Sequence, residues 1–117
     1  MIAKTAARHT GDEAEATALK YLQDRGLSLQ QRNFECRYGE IDLIMRDDTT
    51  LVFVEVRYRR SAHFGGALCS VTAQKQEKIR KTILHYISEK KLGERYPLRC
   101  DVVAIEAETV HWIKGAF

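Results

Sequence analysis

Two segments of alternating character, joined by four polar residues, constrain the fold of this chain more than any other feature. From Glu40 to Arg46, Ile41, Leu43 and Met45 alternate with Glu40, Asp42 and Ile44. From Leu51 to Arg59, Val52, Val54, Val56 and Tyr58 alternate with Leu51, Phe53, Glu55 and Arg57. A period of two marks a strand with two distinct faces, and the intervening Asp47-Asp48-Thr49-Thr50 supplies turn chemistry. The pair reads as a β-hairpin. A turn symmetric about Asp48-Thr49 sets Arg46 against Leu51, Asp42 against Glu55 and Glu40 against Arg57. Facing carboxylates on adjacent strands repel each other. With Ile44, Phe53 and Leu51 making that face partly apolar, Asp42 and Glu55 require a proton, a cation or a metal between them.

Helical periodicity flanks the hairpin on both sides. Thr10 and Glu13 have capping-box spacing, so a first helix is expected from near Thr10, with residues 1–9 a loose tail. Ala14, Ala18, Tyr21 and Leu22 form its apolar stripe and Gly26 closes it. Leu27 to Phe34 reads as a short strand. The stretch from Arg60 to Cys69, with Gly65-Gly66, reads as a loop. A second helix is expected from about Thr72 to Lys90, burying Ile79, Ile83, Tyr86 and Ile87. Leu98 to Ile105 and Val110 to Ile113 give two last strands. The order helix, strands, helix, strands predicts an α/β domain with a mixed central sheet flanked by helices. At 117 residues, without a linker or repeat, it is expected to be a single domain over residues 1–117.

Several classes of function are excluded. Cys36, Cys69 and Cys100 are scattered and odd in number, which argues against a disulfide framework or a thiolate zinc site. The four histidines show no metal-ligand spacing either. There is no P-loop, dinucleotide fingerprint or nucleophile elbow. No apolar run approaches the roughly 20 residues needed to cross a bilayer, and residues 1–10 lack the apolar core of a signal peptide. A cytoplasmic protein without membrane association is the expectation. The formal net charge of +3 leans only mildly toward anionic partners.

What remains is a hard-oxygen site with cations around it. Glu15 falls at the edge of the first helix's apolar stripe, between Leu19 and Leu22, where a lone glutamate can reach water. If that helix packs on the acidic face of the hairpin, Glu15 joins Asp42 and Glu55 as a third carboxylate, a set suited to Mg2+ or Mn2+. Arg57, on the same face, either neutralises Glu40 or Glu55 or holds a phosphate. Arg59 and Arg60 extend the hairpin's basic end. Lys75, Lys78, Arg80 and Lys81 make a basic surface on the second helix, the solvated face of an ordinary helix or a set of phosphate contacts. Gln76 lies in line with Ile79 and Ile83 and is expected to face inward.

Gly11-x-x-x-Glu15-x-x-Ala18, Tyr21-Leu22, Gly39-Glu40-Ile41-Asp42-Leu43-Ile44, Val52-Phe53-Val54-Glu55-Val56-Arg57, Asp101-Val102-Val103 and the closing Ala116-Phe117 together resemble the YraN family of bacterial proteins. That family is similar to Holliday-junction resolvases and other members of the restriction-endonuclease-like PD-(D/E)xK superfamily. The resemblance implies a restriction-endonuclease-like fold and a metal-dependent nuclease site. It assigns the first acid to Asp42, the second to Glu55 and a helical acid to Glu15, with Lys75 and Gln76 as supporting polar residues. The superfamily's lysine two residues after the second acid is replaced here by Arg57, which stays charged and cannot act as a base. Three readings follow: an Mg2+- or Mn2+-dependent endonuclease acting on DNA, a nucleic-acid-binding module that has lost efficient cleavage, or a small interaction protein. Resolvase-like enzymes commonly pair, so a homodimer is a further expectation from the resemblance.

Overall fold

The structure is a computed structural model that describes residues 2–59 and 71–117, with side chains in the first helix from Gly11 onward. The elements are α1 (Ile2–Asp24), β1 (Ser28–Cys36), β2 (Gly39–Asp47), β3 (Thr50–Arg59), α2 (Ala73–Glu89), β4 (Leu98–Glu106) and β5 (Thr109–Ile113). The five strands form one sheet in the order β1-β2-β3-β4-β5. The β3–β4 pair is parallel and the other three pairs are antiparallel. Short turns join the antiparallel neighbours, and α2 lies in the long connection that a parallel pair requires. This is the expected mixed α/β sheet with two helices, compatible with a restriction-endonuclease-like fold.

The expected hairpin register is observed: Asp47 pairs with Thr50, Arg46 with Leu51 and Leu43 with Val54. Asp48 takes φ +57° in the two-residue turn, a conformation that aspartate tolerates better than most residues. The helices cover opposite faces of the sheet. Ala14, Ala18 and Leu22 of α1 pack with Leu43, Met45, Val52, Val54, Val103 and Ile105. Ile79, Ile83 and Tyr86 of α2 pack with Phe34, Ile44, Leu51 and Phe53. Alternation along β2 and β3 therefore sends one set of side chains to each helix.

Three expectations are corrected. α1 begins at Ile2, so the loose tail expected for residues 1–9 is helical from Ile2, and Thr10 lies inside the helix, where its capping-box spacing has no end to cap. Ala3, Ala6, Ala7 and Arg8 are strong helix formers that carry the element upstream. Ile41 packs with Phe34 on the α2 side, away from Leu43 and Met45. The strict alternation breaks at Asp42, opposite a stretch of β1 in which Asn33 adopts φ +51°. Glu40 does not face Arg57, because it pairs with Glu35 of β1. The loop expected between Arg60 and Cys69, and with it the candidate phosphate contact Arg60, lies outside the described residues.

Candidate functional site

The β2–β3 ladder ends at Leu43 and Val54. Beyond it, β2 remains on β1 through Ile41, Glu40 and Gly39, while β3 remains on β4 from Glu55 to Arg59. The sheet forks, and backbone donors between the two prongs lose their strand partners. Asp42 stands in the fork and meets part of this need: the Val56 N–H donates to Asp42 Oδ2 at 2.8 Å. A buried backbone donor without a partner is costly, so this bond fixes the Asp42 carboxylate in position.

Glu55 occupies the other prong at the same level. Its carboxyl is pushed up to about 8, first by burial, then by the Asp42 charge and by a hydrogen bond with the Asp42 carboxylate; Arg57 and Lys75 pull the other way. Asp42 also raises Glu15 and Glu40, in each case after burial as the leading cause. The fields of four carboxylates thus overlap at Asp42, and close packing of this kind is held together by protons or cations.

Asp42 and Glu55 are close enough for a hydrogen bond between their carboxyls. α1 packs on the face of the sheet opposite to α2, so Glu15 approaches Asp42 from the far side of the fork, and its oxygen lies 3.8 Å from the Arg32 guanidinium. Among the described residues no three His, Cys, Asp or Glu side chains are grouped closely enough to hold a metal ion. The closely placed donors of the fork are the carboxyls of Asp42 and Glu55. That donor set fits a hard divalent cation, since Mg2+ is commonly held by one or two carboxylates with water and substrate phosphates completing its shell.

Cations surround the acids. A cleft of about 290 Å3 is lined by Glu40, Asp42, Glu55, Arg57, Lys75 and Lys78, with Gly39, Val56 and Ile79. A second cleft of about 290 Å3 is lined by Glu15, Arg57, Arg59 and Lys75, with Gly11, Ala14, Val56 and Tyr58. Arg57 and Lys75 belong to both walls. Arg57 pairs with Glu55 through Nη2, while its Nε is buried and has no hydrogen-bond partner, the one such side-chain nitrogen or oxygen among the described residues. An unsatisfied buried donor on a cation is a defect in the isolated fold. Lys75 is placed by the start of α2, where Thr72 Oγ1 accepts from the Lys75 N–H at 3.2 Å. A larger hollow of about 500 Å3 lies between α1 and the β4–β5 turn, but its charged lining residues are Glu13 and Glu108, the wrong sign for a phosphate.

The structure thus brings Asp42, Glu55, Arg57, Lys75 and Lys78 to one cleft, and Glu15 and Arg59 to its neighbour. Gln76 is not part of either wall: its side-chain amide donates to the Val71 carbonyl at 3.3 Å and serves the start of α2. Two acids had no role assigned from the sequence. Glu40 lines the cleft, a placement that the hairpin pattern already made available. Asp101 is fully buried in β4 and accepts from Arg99 Nε at 2.9 Å, Arg99 Nη2 at 3.0 Å, Trp112 Nε1 at 2.9 Å and the Gly115 N–H at 2.9 Å. Arg99 reaches on to Asp47 at 3.1 Å. The signal for such a hub was an acid at the head of the apolar run Val102-Val103-Ala104-Ile105; its partners come from elsewhere in the chain.

Residues 14–105 match the model of a family described as "Uncharacterised protein family UPF0102". The chain belongs to this family, the YraN family of the resemblance. A UPF0102 protein of Legionella pneumophila (strain Philadelphia 1) is 46% identical over 109 residues, covering 92% of each chain. A UPF0102 protein of Nitrosococcus oceani is 46% identical over 114 residues, covering 94% of this chain and 92% of its own. A third, from Stutzerimonas stutzeri, is 47% identical over 112 residues, covering 92% and 93%. The span matched to UPF0102 contains Glu15, Asp42, Glu55, Arg57 and Lys75, but not Trp112 or Gly115, which hold Asp101. Among the described residues no helix is long and apolar enough to cross a membrane.

Proposed function

We propose that this UPF0102 protein is a divalent-metal-dependent endonuclease that hydrolyses phosphodiester bonds in DNA. The observation that carries this reading is the Asp42–Glu55 carboxylate pair in the β2–β3 fork, walled on one cleft by Arg57 and Lys75. Hard donors for a cation and donors for a phosphate meet there at short range, which is what phosphodiester hydrolysis asks of a site.

Asp42 and Glu55 would hold Mg2+ or Mn2+. Bound there, the metal would supply a water of lowered pKa and positive charge for the phosphate. Asp42 is kept in place by the Val56 N–H, so one ligand is oriented before anything binds. Arg57 keeps its charge at any working pH and would present its guanidinium to a non-bridging phosphate oxygen, without removing a proton from water. Lys75 is the one amine that lines both clefts with Arg57, and in this reading its Nζ would orient the attacking water. Lys78 on one side and Arg59 on the other hold the flanking phosphates. Glu15 acts through its field on Asp42, as a positioning residue.

A second reading is favoured by one observation. The Arg57 guanidinium is bound to Glu55, so part of its capacity is spent on a ligand carboxylate. In that case the cleft binds nucleic acid and cuts it slowly or not at all. The deciding experiment presents labelled single strands, flaps and four-way junctions to the purified protein with and without Mn2+, beside Asp42→Ala/Glu55→Ala. Metal-dependent cutting that disappears in the double variant is the expected result. Binding without cutting would select the second reading, and Arg57→Lys should then restore activity. Neither binding nor cutting on any substrate would remove both and leave an interaction protein.

A further inference from the structure

Beside the Glu40 end of the first cleft lies a face that neither the metal pair nor the phosphate contacts use. The β1–β2 turn, Arg37-Tyr38, immediately precedes Gly39 and Glu40. Gly39 has φ +150°, and a Cβ there would lie 3.4 Å from Thr82 Oγ1 of α2. This close approach presses the hairpin tip onto α2. It brings the Tyr38 ring to 6.1 Å from the His85 ring, edge-on at 66°. His85 is in turn 6.2 Å from the buried Phe34 ring. Tyr38, Lys81, Leu84 and His85 line an open hollow of about 420 Å3.

Packing on Phe34 accounts for the inner edge of this group and Glu89 Oε1, 3.5 Å from His85 Nε2, for one edge of the imidazole; the outward faces of Tyr38 and Leu84 are left unexplained. Leu84 is 66% exposed. The Arg37 guanidinium lies 4.9 Å from the Tyr38 ring centroid and donates to the Tyr38 hydroxyl at 2.8 Å, which holds that ring on the surface. Lys78 and Lys81 make no ion pair among the described residues, and they stand one turn apart on α2. The first lines the cleft and the second lines the hollow. An aromatic surface edged by unpaired cations and continuous with a phosphate cleft has the chemistry of a stacking platform for bases. A duplex contacted through its backbone would need the lysines alone.

Resting on the nucleic-acid reading above, we propose that Tyr38, His85 and Leu84 receive an unpaired nucleobase next to the phosphate held at the Asp42–Glu55 cleft. The preferred substrate is then a DNA strand that is single-stranded on the Glu40 side. The full chain is titrated in EDTA, by fluorescence anisotropy, with three labelled probes: an oligothymidine strand, the same strand with abasic units, and a blunt duplex. The oligothymidine should bind about 10-fold more tightly than the abasic strand, the scale of one stacked base. Tyr38→Ala should erase that difference while leaving the abasic strand and the duplex as they were, and Tyr38→Phe should restore it. Leu84→Ala, a truncation on the surface, should reduce the preference several-fold. Equal affinity for the oligothymidine and abasic strands, or a Tyr38→Ala loss shared by all three probes, overturns the platform while the phosphate cleft stands. Failure of the wild-type protein to bind any probe overturns the nucleic-acid reading, and the platform with it.

Discussion

Glu55 sits beside Asp42 where β2 and β3 part, and burial together with the Asp42 charge pushes its carboxyl from an ordinary value of 4.5 to about 8. Below pH 4.5 the group is protonated in both folded and unfolded chains, and this contribution to stability is fully present. Between 4.5 and about 8 the unfolded chain has released the proton while the folded chain keeps it, so stability falls as pH rises across that window and levels off above it. The loss amounts to a few kcal/mol as an order of magnitude. In metal-free buffer the melting temperature of the wild type should therefore drop between pH 5 and pH 9 by several degrees more than that of Glu55→Gln, whose amide carries no proton to lose. At pH 9, Mn2+ should recover the wild-type loss and leave Glu55→Gln almost unchanged. Parallel pH profiles for the two proteins would show that the fork does not hold a protonated Glu55. That Asp42 and Glu55 come close was legible in the sequence because a symmetric two-residue turn sets the register, although the ladder ends at Leu43 and Val54 and the two acids meet through their side chains. The cleft position of Glu15 was only half legible: its helical phase placed it at an edge, but the face of the sheet that α1 covers is decided by packing. Gln76 misled for a related reason. Facing inward at a helix start leaves a side-chain amide free to serve the nearest carbonyl, here that of Val71.

Element ends show how much of the fold local chemistry settles. α1 finishes in a Schellman arrangement, with the Leu27 N–H on the Leu22 carbonyl at 3.1 Å and the Gly26 N–H on that of Gln23 at 3.0 Å. Gly26 adopts φ +97°. Leu22 and Leu27 share the α1-side core, the apolar contact that accompanies this motif. α2 ends in the same way, with Leu92 on Ile87 at 3.0 Å and Lys91 on Ser88 at 3.1 Å. There, however, the left-handed position is filled by Lys91 at φ +56°, and a side chain at such a position is disfavoured by about 1 kcal/mol. Lys91→Gly should then stabilise the protein by up to about 1 kcal/mol and Gly26→Ala should destabilise it by about 1 kcal/mol, both read by urea denaturation. Two changes of the same sign would mean that the ends of the helices do not set these costs. Gly26 was readable as a helix stop because glycine advertises a positive φ. A lysine in the same role carries no such mark. The strands and the Asp48-Thr49 turn were readable through their period of two. The fork was not, since a period says which face a residue takes and nothing about which neighbour a strand keeps, and Glu40 accordingly follows β1.

Across the whole molecule, α1 and α2 cover opposite faces of one sheet, and the fork is the place where residues from both helices reach the same strands. Glu15 comes from one side, Lys75 and Lys78 from the other, and β2 and β3 supply Asp42, Glu55 and Arg57 between them. A formal net charge of +3 conceals this arrangement, because 19 basic residues are set against 16 acidic ones in the chain as a whole. What a nucleic acid would meet is the local field of Arg57, Arg59, Lys75 and Lys78 around a carboxylate pair that a bound cation would neutralise. Each phosphate contact by such a group releases counterions from a single strand, with a salt slope of about −0.7 per contact. Four contacts give a slope near −3, so raising salt from about 50 to about 200 mM should weaken single-strand binding roughly 50-fold. Lys78→Ala should lower the magnitude of the slope by about 0.7, as one lost single-strand phosphate contact does, with little change in preference among base sequences. Anisotropy titrations at four salt concentrations would measure it. A flat salt response would mean that these cations serve only to balance the acids of the fork, as the Arg57–Glu55 pair does in the structure, and that the basic face of α2 is solvated surface.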